Sequence, residues 1–429
     1  SMAEADRSKP FGPDQIQKIL QHLQQPAVFR NMTWDWPVLQ WTAEHLSARL
    51  GDRLIRFRLA RKEQTNGPLF ETHCSYAEAR LAQFLSWVQN QAGADVGPFA
   101  EYRAPEFWAY ADYKYIAQLV PDLPSMFEDV RWADFGFEGR DGGESTLWIG
   151  SEGANTPCHQ DAYGYNLVLQ VQGRKRWHLF PPEDTRKLYP TRIPYEESSV
   201  FSRVDVLQPD LRRFPAFRGA RAHVVTLQPG QVLYVPRHWW HYVESVDPVT
   251  VSVNSWIELE EDHGTRVQEA VAKAVVFALK GTTSADNSDR WLNPTEEGVT
   301  PHDQNMRYLN LAVGAFQKVR ARRRERRPVK RGSGGQPRED HEGPFTVPFG
   351  PHLAPVLRPR DAVSAHQTAT ERLPGSGSGG CADGSLETPE VDHREPGSGT
   401  ITTNDLLDCL VHPDVLARVA ELLVDAHAR

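Results

Sequence analysis

The sequence predicts a mainly β protein with flanking helices, centred on an antiparallel barrel of two facing sheets. Short apolar runs of strand length recur from Ser145 onward. Turn residues separate these runs, and no helical periodicity interrupts them. Together these features are typical of an antiparallel double-sheet barrel. The predicted strands are 145–149, 166–171, 176–180, 222–226, 231–235, 241–245 and 250–256.

The N-terminal region is predicted to alternate helices and strands that support this barrel. Apolar spacing and flanking polar residues place the helices at 14–25, near 42–50 and at roughly 76–89, and the strands at 25–30 and 55–59. We expect Trp34, Trp36 and Trp41 to be core aromatics rather than a cage for a ligand.

An aromatic run, 107–115, is predicted to form a strand beside the centre of the barrel. Alternation along that strand places Trp108 and Tyr110 on one face and Ala109 and Ala111 on the other.

The C-terminal third is predicted to be helical at its ends and unstructured between them. Helices are expected near 265–280 and 305–318. Residues 320–331 carry eight Lys or Arg, a pattern of a solvated basic stretch or of a nuclear-import or RNA-contact signal. Residues 332–400, which include the run 375–380, are rich in Gly, Pro and Ser and are expected to be disordered.

The last segment, 401–429, has capping residues before two apolar stripes, so it is predicted to form two short amphipathic helices. They either dock on the domain or recruit a partner, and we favour a partner site. The predicted organisation is a flexible terminus (1–12), a barrel domain with support helices (13–280, core about 97–262), a helical extension (281–319), a linker (320–400) and this helical module (401–429).

Composition limits the function classes. The net charge of −8 gives the chain no overall basic footprint, so nucleic acid is not the default partner. The four cysteines (Cys74, Cys158, Cys381 and Cys409) are far apart and offer no pair for zinc. No secretory signal and no apolar run of roughly 20 residues is apparent. We therefore expect a reduced, soluble protein of the cytoplasm, with the nucleus left open by the basic stretch.

The stretch 156–161 contains a candidate metal site. In an extended backbone, residues two apart point to the same face, so His159 and Asp161 can offer an imidazole and a carboxylate to one ion. About one such pair would occur by chance in a chain with 16 His, and His412 and Asp414 form a second pair, in which Pro413 spoils the geometry.

A third ligand is available 82 residues later, at His241, which we expect on the opposite sheet. Two His and one carboxylate leave three coordination positions open, as in non-haem Fe(II) oxygenases. His238 competes with His241 for this role. Residues three apart on a strand face opposite sides, so both cannot bind the same ion from regular β geometry.

These residues resemble a known family. The runs TPCHQD, GRKRWHLFPP, PGQVLYVPRHWWHYVES and VSVNSW are similar to the two halves of a JmjC domain. The resemblance covers roughly residues 13–280 and implies a double-stranded β-helix, the jelly-roll or cupin fold. It also implies an oxygenase that uses Fe(II) and 2-oxoglutarate. The chain looks most similar to small JmjC-only proteins that hydroxylate proteins or a tRNA base.

The resemblance also assigns residues. It selects His241 over His238 as the distal metal ligand. It matches Lys175 to the lysine whose ammonium meets the distal carboxylate of 2-oxoglutarate, and alternation points Lys175 away from Arg174 and Arg176. The alternative for Lys175 is a solvated basic turn.

Four further residues are candidates for binding the co-substrate. By resemblance, Tyr110 donates a hydrogen bond to a carboxylate of 2-oxoglutarate, and the alternative is an ordinary core tyrosine. Thr156 can add a hydroxyl donor. Asn166 and Asn254 match positions that line the co-substrate pocket in related enzymes.

The resemblance implies an active hydroxylase of a protein substrate, with RNA left open. Two alternatives remain: a histone lysine demethylase, and a binding protein that keeps the fold without turnover. The whole chain further resembles a family member associated with a small heat shock protein, Hsp27. It therefore implies such a protein as partner and a link to stress response. A homodimer through the C-terminal helices is also left open, and no membrane is expected.

Overall fold

The computed structural model describes residues 8–63, 67–287, 290–296, 298–327, 343–359 and 399–428. Helices and strands alternate before the barrel begins. In chain order they are α1 (Pro13–His22), β1 (Ala27–Phe29), α2 (Ala43–Leu50), β2 (Ile55–Arg61), β3 (Ser75–Ala79), α3 (Leu81–Val88), β4 (Phe107–Tyr115) and the single turn α4 (Ile116–Leu119).

The second part of the described chain is rich in strands and then becomes helical. Its elements are β5 (Thr146–Ser151), β6 (Asn155–Asp161), β7 (Tyr165–Gln172), β8 (Lys175–Phe180), β9 (Pro190–Glu196), β10 (Ser199–Ser202), β11 (His223–Leu227), β12 (Val232–Val235), β13 (Trp240–Ser245), β14 (Val249–Ile257), α5 (Asp262–Lys280), α6 (His302–Arg326), β15 (Leu353–Pro355), α7 (Thr403–Leu410) and α8 (Pro413–Ala426).

The strands form two antiparallel sheets. The larger sheet has the order β15-β1-β12-β7-β14-β5-β4-β2-β3, and the smaller has the order β11-β8-β13-β6-β10-β9. The predicted mainly β fold with two sheets, flanking helices and C-terminal helices is thereby confirmed. All seven strands predicted from Ser145 onward form, with ends shifted by two residues at most.

The larger sheet is buried on both faces, which explains its apolar strands. On β7, Leu167 and Leu169 belong to the main core, together with buried side chains of α1, α2 and α3. Val168, between them, faces the inside of the barrel and belongs to the cluster that contains Trp177 of β8. The N-terminal helices therefore cover the outer face of the larger sheet, and the smaller sheet covers the inner face.

Two predictions for the N-terminal region are wrong in part. The helix expected from residue 76 begins only at Leu81, because residues 75–79 form β3 and pair with β2. The alternating burial of β3, with Ala77 and Ala79 inside, fits a strand. Among the tryptophans, Trp36 and Trp41 are buried as expected, but Trp34 is 46% exposed, with the Lys9 ammonium over its ring.

Part of the predicted disordered linker is ordered. Helix α6 continues to Arg326, so half of the basic stretch is helical. Farther on, β15 pairs with β1 and extends the larger sheet. Its Leu353 is fully buried. A leucine in a Pro-rich segment does not by itself indicate a buried strand in the sequence. The remaining linker, 328–342 and 360–398, and the first seven residues lie outside the described residues.

The C-terminal helices α7 and α8 dock on the domain, so the favoured reading of their apolar stripes as a partner site is wrong for the buried side. Leu407, Leu416 and Ala420 pack in one cluster with Val271 of α5. Polar contacts hold the other side of α7: Asp408 accepts a hydrogen bond from Thr191 of β9 at 2.9 Å and pairs with Arg203. None of the helices in the described part of the chain is long and apolar enough to span a membrane.

The docking of β15 can be tested with two leucines four residues apart. Leu353→Ala removes a fully buried side chain and should lower the free energy of unfolding by about 3 kcal/mol, as leucine truncations in cores do. Leu357 is 64% exposed, so Leu357→Ala should change it by less than about 0.5 kcal/mol. Urea unfolding followed by circular dichroism measures both values. Equal effects of the two substitutions would contradict the ordered strand.

Candidate metal centre

Both residues of the His-x-Asp pair lie on one strand, β6. His159 and Asp161 are at the end of β6, and alternation leaves Gln160 on the other face, where its amide donates to the His238 carbonyl. His241 lies on β13, which pairs directly with β6, and His241 is opposite His159 in the register. The expectation that His241 lies on the opposite sheet is therefore wrong. All three side chains come from neighbouring strands of one sheet.

The three side chains converge on one point. One ligand atom from each of His159, Asp161 and His241 lies within 4.8 Å of the others. The Asp161 carboxylate stands between the imidazoles, with Oδ1 3.4 Å from His159 Nε2 and Oδ2 3.5 Å from His241 Nε2. The three donors can thus face a single ion from one side.

Backbone carbonyls orient both imidazoles for metal binding. The Nδ1 of His159 lies 2.9 Å from the Pro157 carbonyl oxygen, and that of His241 lies 3.0 Å from the Trp239 carbonyl oxygen. A carbonyl only accepts, so each Nδ1 carries the proton and each Nε2 offers its lone pair to the centre.

The charges in the site favour an ionised carboxylate. Burial raises the pKa of Asp161, but the contact with His159 and the nearby imidazoles outweigh burial and lower it to about 2. Burial and the adjacent His159 lower the pKa of His241 to about 4. Burial also lowers the pKa of His159, but its contact with Asp161 prevails and raises it. A neutral His241 and a charged Asp161 are the forms that bind a cation.

The other candidate histidines are held elsewhere. His238 lies in the turn before β13 with a φ of 64°, and its Nε2 is 3.0 Å from the Ala162 carbonyl oxygen. His178, a histidine in the predicted strand 176–180, alternates to the outer face of β8 and makes an edge-to-face contact with Tyr242. His412 caps the start of α8, where Pro413 begins the helix, far along the chain from the pair.

A narrow cavity of about 40 Å³ leads inward from the three ligands. All eight residues that the sequence singled out line it: His159, Asp161, His241, Lys175, Thr156, Tyr110, Asn166 and Asn254. The structure thus brings together residues from β4, β6, β7, β8, β13 and β14. Their roles in binding a metal or a co-substrate stay predictions.

Lys175 lies at the inner end of this cavity. Gly173, at a φ of 64°, makes the tight turn between β7 and β8, and alternation then sends Lys175 into the barrel, while Arg174 pairs with Asp247 outside. The Lys175 ammonium donates to Tyr110 Oη at 2.9 Å and to Ser252 Oγ at 3.0 Å. In the described part of the chain it has no carboxylate partner.

Burial affects the protonation of both Lys175 and Tyr110. Desolvation lowers the pKa of Lys175 to about 7, although the charge of Asp112 opposes it. Burial raises the pKa of Tyr110 well above its ordinary value, and its contact with Thr156 offsets only part of that effect. Tyr110 therefore remains a neutral hydroxyl beside a lysine that lacks a counter-ion.

The amides of the cavity are fixed by one another. Asn254 Nδ2 donates to Asn166 Oδ1 at 3.1 Å, and Asn254 Oδ1 accepts from Trp148 Nε1 at 2.7 Å. This arrangement fixes the Asn166 side chain with its amide nitrogen available as a donor at the cavity wall.

Sequence reasoning missed several residues that line the cavity, and Ser252 and Trp256 are the two that contact predicted site residues through polar atoms of β14. Ser252 accepts from Lys175, and Trp256 Nε1 lies 3.4 Å from Asp161 Oδ2, where it helps to orient the carboxylate. Both lie on β14 at even spacing from Asn254. The alternation 252–254–256 therefore could have placed all three on the inner face.

The donor set fits the groups that the fold implies. Two imidazoles and a carboxylate on one side would leave positions open on a bound Fe(II). A buried ammonium without an anion, next to two hydroxyls and a free amide, suits a dicarboxylate such as 2-oxoglutarate, because a buried charge needs a partner.

Comparisons with known proteins show the family to which the chain belongs. Residues 13–263 match the cupin-like domain family. The chain is 55% identical over 440 residues to the "HSPB1-associated protein 1 homolog" of Danio rerio, which covers 97% of this chain and 98% of that protein. It is 48% identical over 473 residues to the "HSPB1-associated protein 1" of Homo sapiens, covering 99% and 96% of the two chains.

A more distant relative matches about half of the chain. The "Lysine-specific demethylase 8" of Xenopus tropicalis is 29% identical over 249 residues, covering 54% of this chain and 48% of that protein. The family match covers the whole barrel, and the first two relatives cover nearly the full length of the chain. The chain therefore belongs to the cupin-like domain family, among its JmjC proteins.

Proposed function

We propose that this protein is an Fe(II)- and 2-oxoglutarate-dependent oxygenase that hydroxylates a protein substrate. The observation that carries this proposal is Lys175, a buried ammonium that has hydroxyl but no carboxylate partners among the described residues and lines the same cavity as His159, Asp161 and His241. A metal site alone would serve many functions. A metal site beside a buried ammonium that has no carboxylate partner among the described residues calls for an anionic co-substrate that reaches both.

Each residue has a distinct part in this scheme. His159 and His241 would bind Fe(II) through Nε2, and Asp161, oriented by Trp256, would supply the negative ligand. Lys175 and Tyr110 would hold the distal carboxylate of 2-oxoglutarate. The aromatic walls, among them Trp148 and Trp177, would exclude water from the cavity.

The overall reaction is balanced by the two substrates. Bound Fe(II) supplies the activation of dioxygen. One oxygen atom enters a C–H bond of the substrate as a hydroxyl, and the other enters succinate as 2-oxoglutarate loses carbon dioxide.

The metal and co-substrate site is tested by anaerobic titration of the full chain with Fe(II) and 2-oxoglutarate. The wild type should show the weak visible charge-transfer band of the chelate. His159→Ala and Asp161→Ala should lose it, because each removes one of the three ligands. His238→Ala is the matched histidine control and should keep the band. A folded wild type without a band, or a band that survives both ligand substitutions, would contradict the proposal.

The affinity for 2-oxoglutarate should depend on pH through Lys175. Its pKa is about 7 in the free protein, and a bound carboxylate favours the ammonium and raises that pKa. The affinity should therefore be constant below pH 7 and fall by up to about tenfold per pH unit above it. Titrations from pH 6 to 9 measure this dependence. Pyruvate, which lacks the distal carboxylate, is the matched ligand, and an equal slope for pyruvate would rule out Lys175 as the cause.

The names of the similar relatives support a partner. We propose that this chain also binds a small heat shock protein of the HSPB1 type. Such a protein can be the substrate, or it can be a partner of a protein that binds without turnover.

A single experiment separates these two relations. Purified small heat shock protein is incubated with the wild type, Fe(II), 2-oxoglutarate and oxygen, and complex formation and peptide masses are measured. A substrate should gain the mass of one oxygen atom with wild type but not with His159→Ala, while both bind it. Binding by both without any mass change supports the binding role, loss of a methyl group would indicate demethylation, and no complex with either would refute the partner.

A further inference from the structure

Helix α6 is packed against the domain at its start and open to solvent at its end. Its buried residues, Asn305, Leu309 and Ala312, all lie in the first half of the helix. Leu309 and Ala312 belong to the apolar cluster that α5 shares with α7 and α8. From Ala321 to Arg326 every residue is exposed. The last turns of this helix therefore stand in solvent.

This exposed end is strongly basic. Seven of the ten residues 318–327 are Lys or Arg and one is Glu, a net charge of +6, so the rest of the chain carries −14. A helix dipole favours cations within the last turn of the helix. It does not account for Lys318, Arg320 and Arg322, which come before that turn.

Acidic side chains nearby neutralise little of this charge. Among the described residues, Arg323 pairs with Glu260 at 3.0 Å, and the other six basic side chains of the segment form no ion pair. Glu325, the one acid within the segment, forms no ion pair with them either. Like charges three or four residues apart on a helix destabilise it. An anionic partner would relieve this repulsion.

The basic side chains form two rows on the flanks of the helix, because successive residues are about 100° apart around its axis. One row lies on one flank: Lys318, Arg322 and Arg326. The second row lies roughly 160° around the axis from the first: Arg320, Arg324 and Arg327. A flat anionic surface would contact one row only, whereas a groove with two anionic walls would contact both.

The composition of the segment distinguishes between polyanions. A helix that lies on a membrane inserts large apolar side chains, and single-stranded nucleic acids stack on aromatic rings. Residues 318–327 contain no aromatic residue and no apolar residue larger than valine. Six of the seven basic residues are arginines, whose guanidinium group binds phosphate with two parallel hydrogen bonds. These features favour the phosphates of a duplex.

The dimensions of a helix decide between the two kinds of duplex. An α-helix with its side chains is about 10–12 Å across, and the major groove of B-DNA is about 12 Å wide, so it admits a helix. The major groove of A-form RNA is deep and narrow and does not. Phosphates line both walls of the groove in DNA, which matches the two basic rows.

We propose that the exposed end of α6, residues 318–327, binds in the major groove of double-stranded DNA through its phosphates. Such contacts fix the position of the protein on the duplex and carry no sequence information, so the binding has no base specificity. The contact requires neither metal nor co-substrate and is therefore independent of the oxygenase proposal. The negative charge on the rest of the chain opposes binding elsewhere on the surface.

Fluorescence anisotropy of the full chain with a labelled DNA duplex of about 20 base pairs, between about 50 and 200 mM salt, tests this proposal. The logarithm of the affinity should fall linearly with the logarithm of the salt concentration, because each phosphate contact releases counter-ions. The triple variant Arg322→Gln/Arg324→Gln/Arg326→Gln removes contacts from both rows. Its slope should be shallower by about 2.7, since each contact contributes about 0.9, and its affinity in 50 mM salt should be at least about tenfold lower.

A second triple variant makes the same change of charge on another surface. Arg212→Gln/Arg213→Gln/Arg218→Gln replaces three exposed arginines of the loop before β11 and should keep the wild-type slope and affinity. Glutamine is a good helix former, so circular dichroism and thermal unfolding of the α6 variant should match the wild type. Equal losses of DNA binding in the two variants would show a general effect of charge and would overturn the proposal.

Matched probes identify the partner. The DNA duplex should bind at least about fivefold more tightly than an RNA duplex or a single DNA strand of the same sequence, because only the DNA groove admits the helix. Equal or tighter binding of either probe would contradict the proposal. Binding of polyglutamate or of phosphatidylserine vesicles in place of DNA would instead indicate an acidic protein or a membrane. No binding of the DNA duplex in 50 mM salt up to about 0.1 mM chain would also refute it.

Discussion

The pairing of β6 with β13 is the constraint on which the site depends. It sets His159 directly opposite His241, while the period of two along β6 adds Asp161 to the same face. The three ligands are therefore fixed by backbone hydrogen bonds within one sheet rather than by packing between sheets. A shift of register by one residue would turn the ligands of one strand outward. The N-terminal helices and the larger sheet supply the buried surface that holds this register in place.

Unmatched charge is the second theme of the structure. Among the described residues, the Lys175 ammonium inside the barrel donates to two hydroxyls and forms no ion pair with a carboxylate. By contrast, the buried Arg58 pairs with Asp112 at 3.1 Å. Buried charges without partners destabilise a fold, and they are commonly retained where a ligand supplies the missing charge. Here the missing charge is negative, and Lys175 lines the same cavity as His159, Asp161 and His241.

Much of the fold and of the candidate site was predictable from the sequence. The barrel strands have clear alternation and turn residues, and the side-chain period of two correctly pointed Lys175 inward and Arg174 outward. The sequence could not give the sheet partner of β13, because pairing between strands about 80 residues apart leaves no local pattern, and His241 was assigned to the wrong sheet. The strand β15 was missed because its order comes from the open edge of β1 rather than from its own composition.

Helix α7 contacts strand β9 of the barrel, and this contact limits where the chain can be shortened. Asp408 holds Thr191 at the start of β9, and Arg192 in the same strand pairs with Glu269 of α5 at 2.6 Å. Strand β9 is therefore anchored from outside the barrel by two helices, one of them near the end of the chain. A shortened protein that stops after the family's conserved domain would keep the metal ligands but lose these supports. The matched residues 13–263 therefore do not include all the contacts that hold β9 in place.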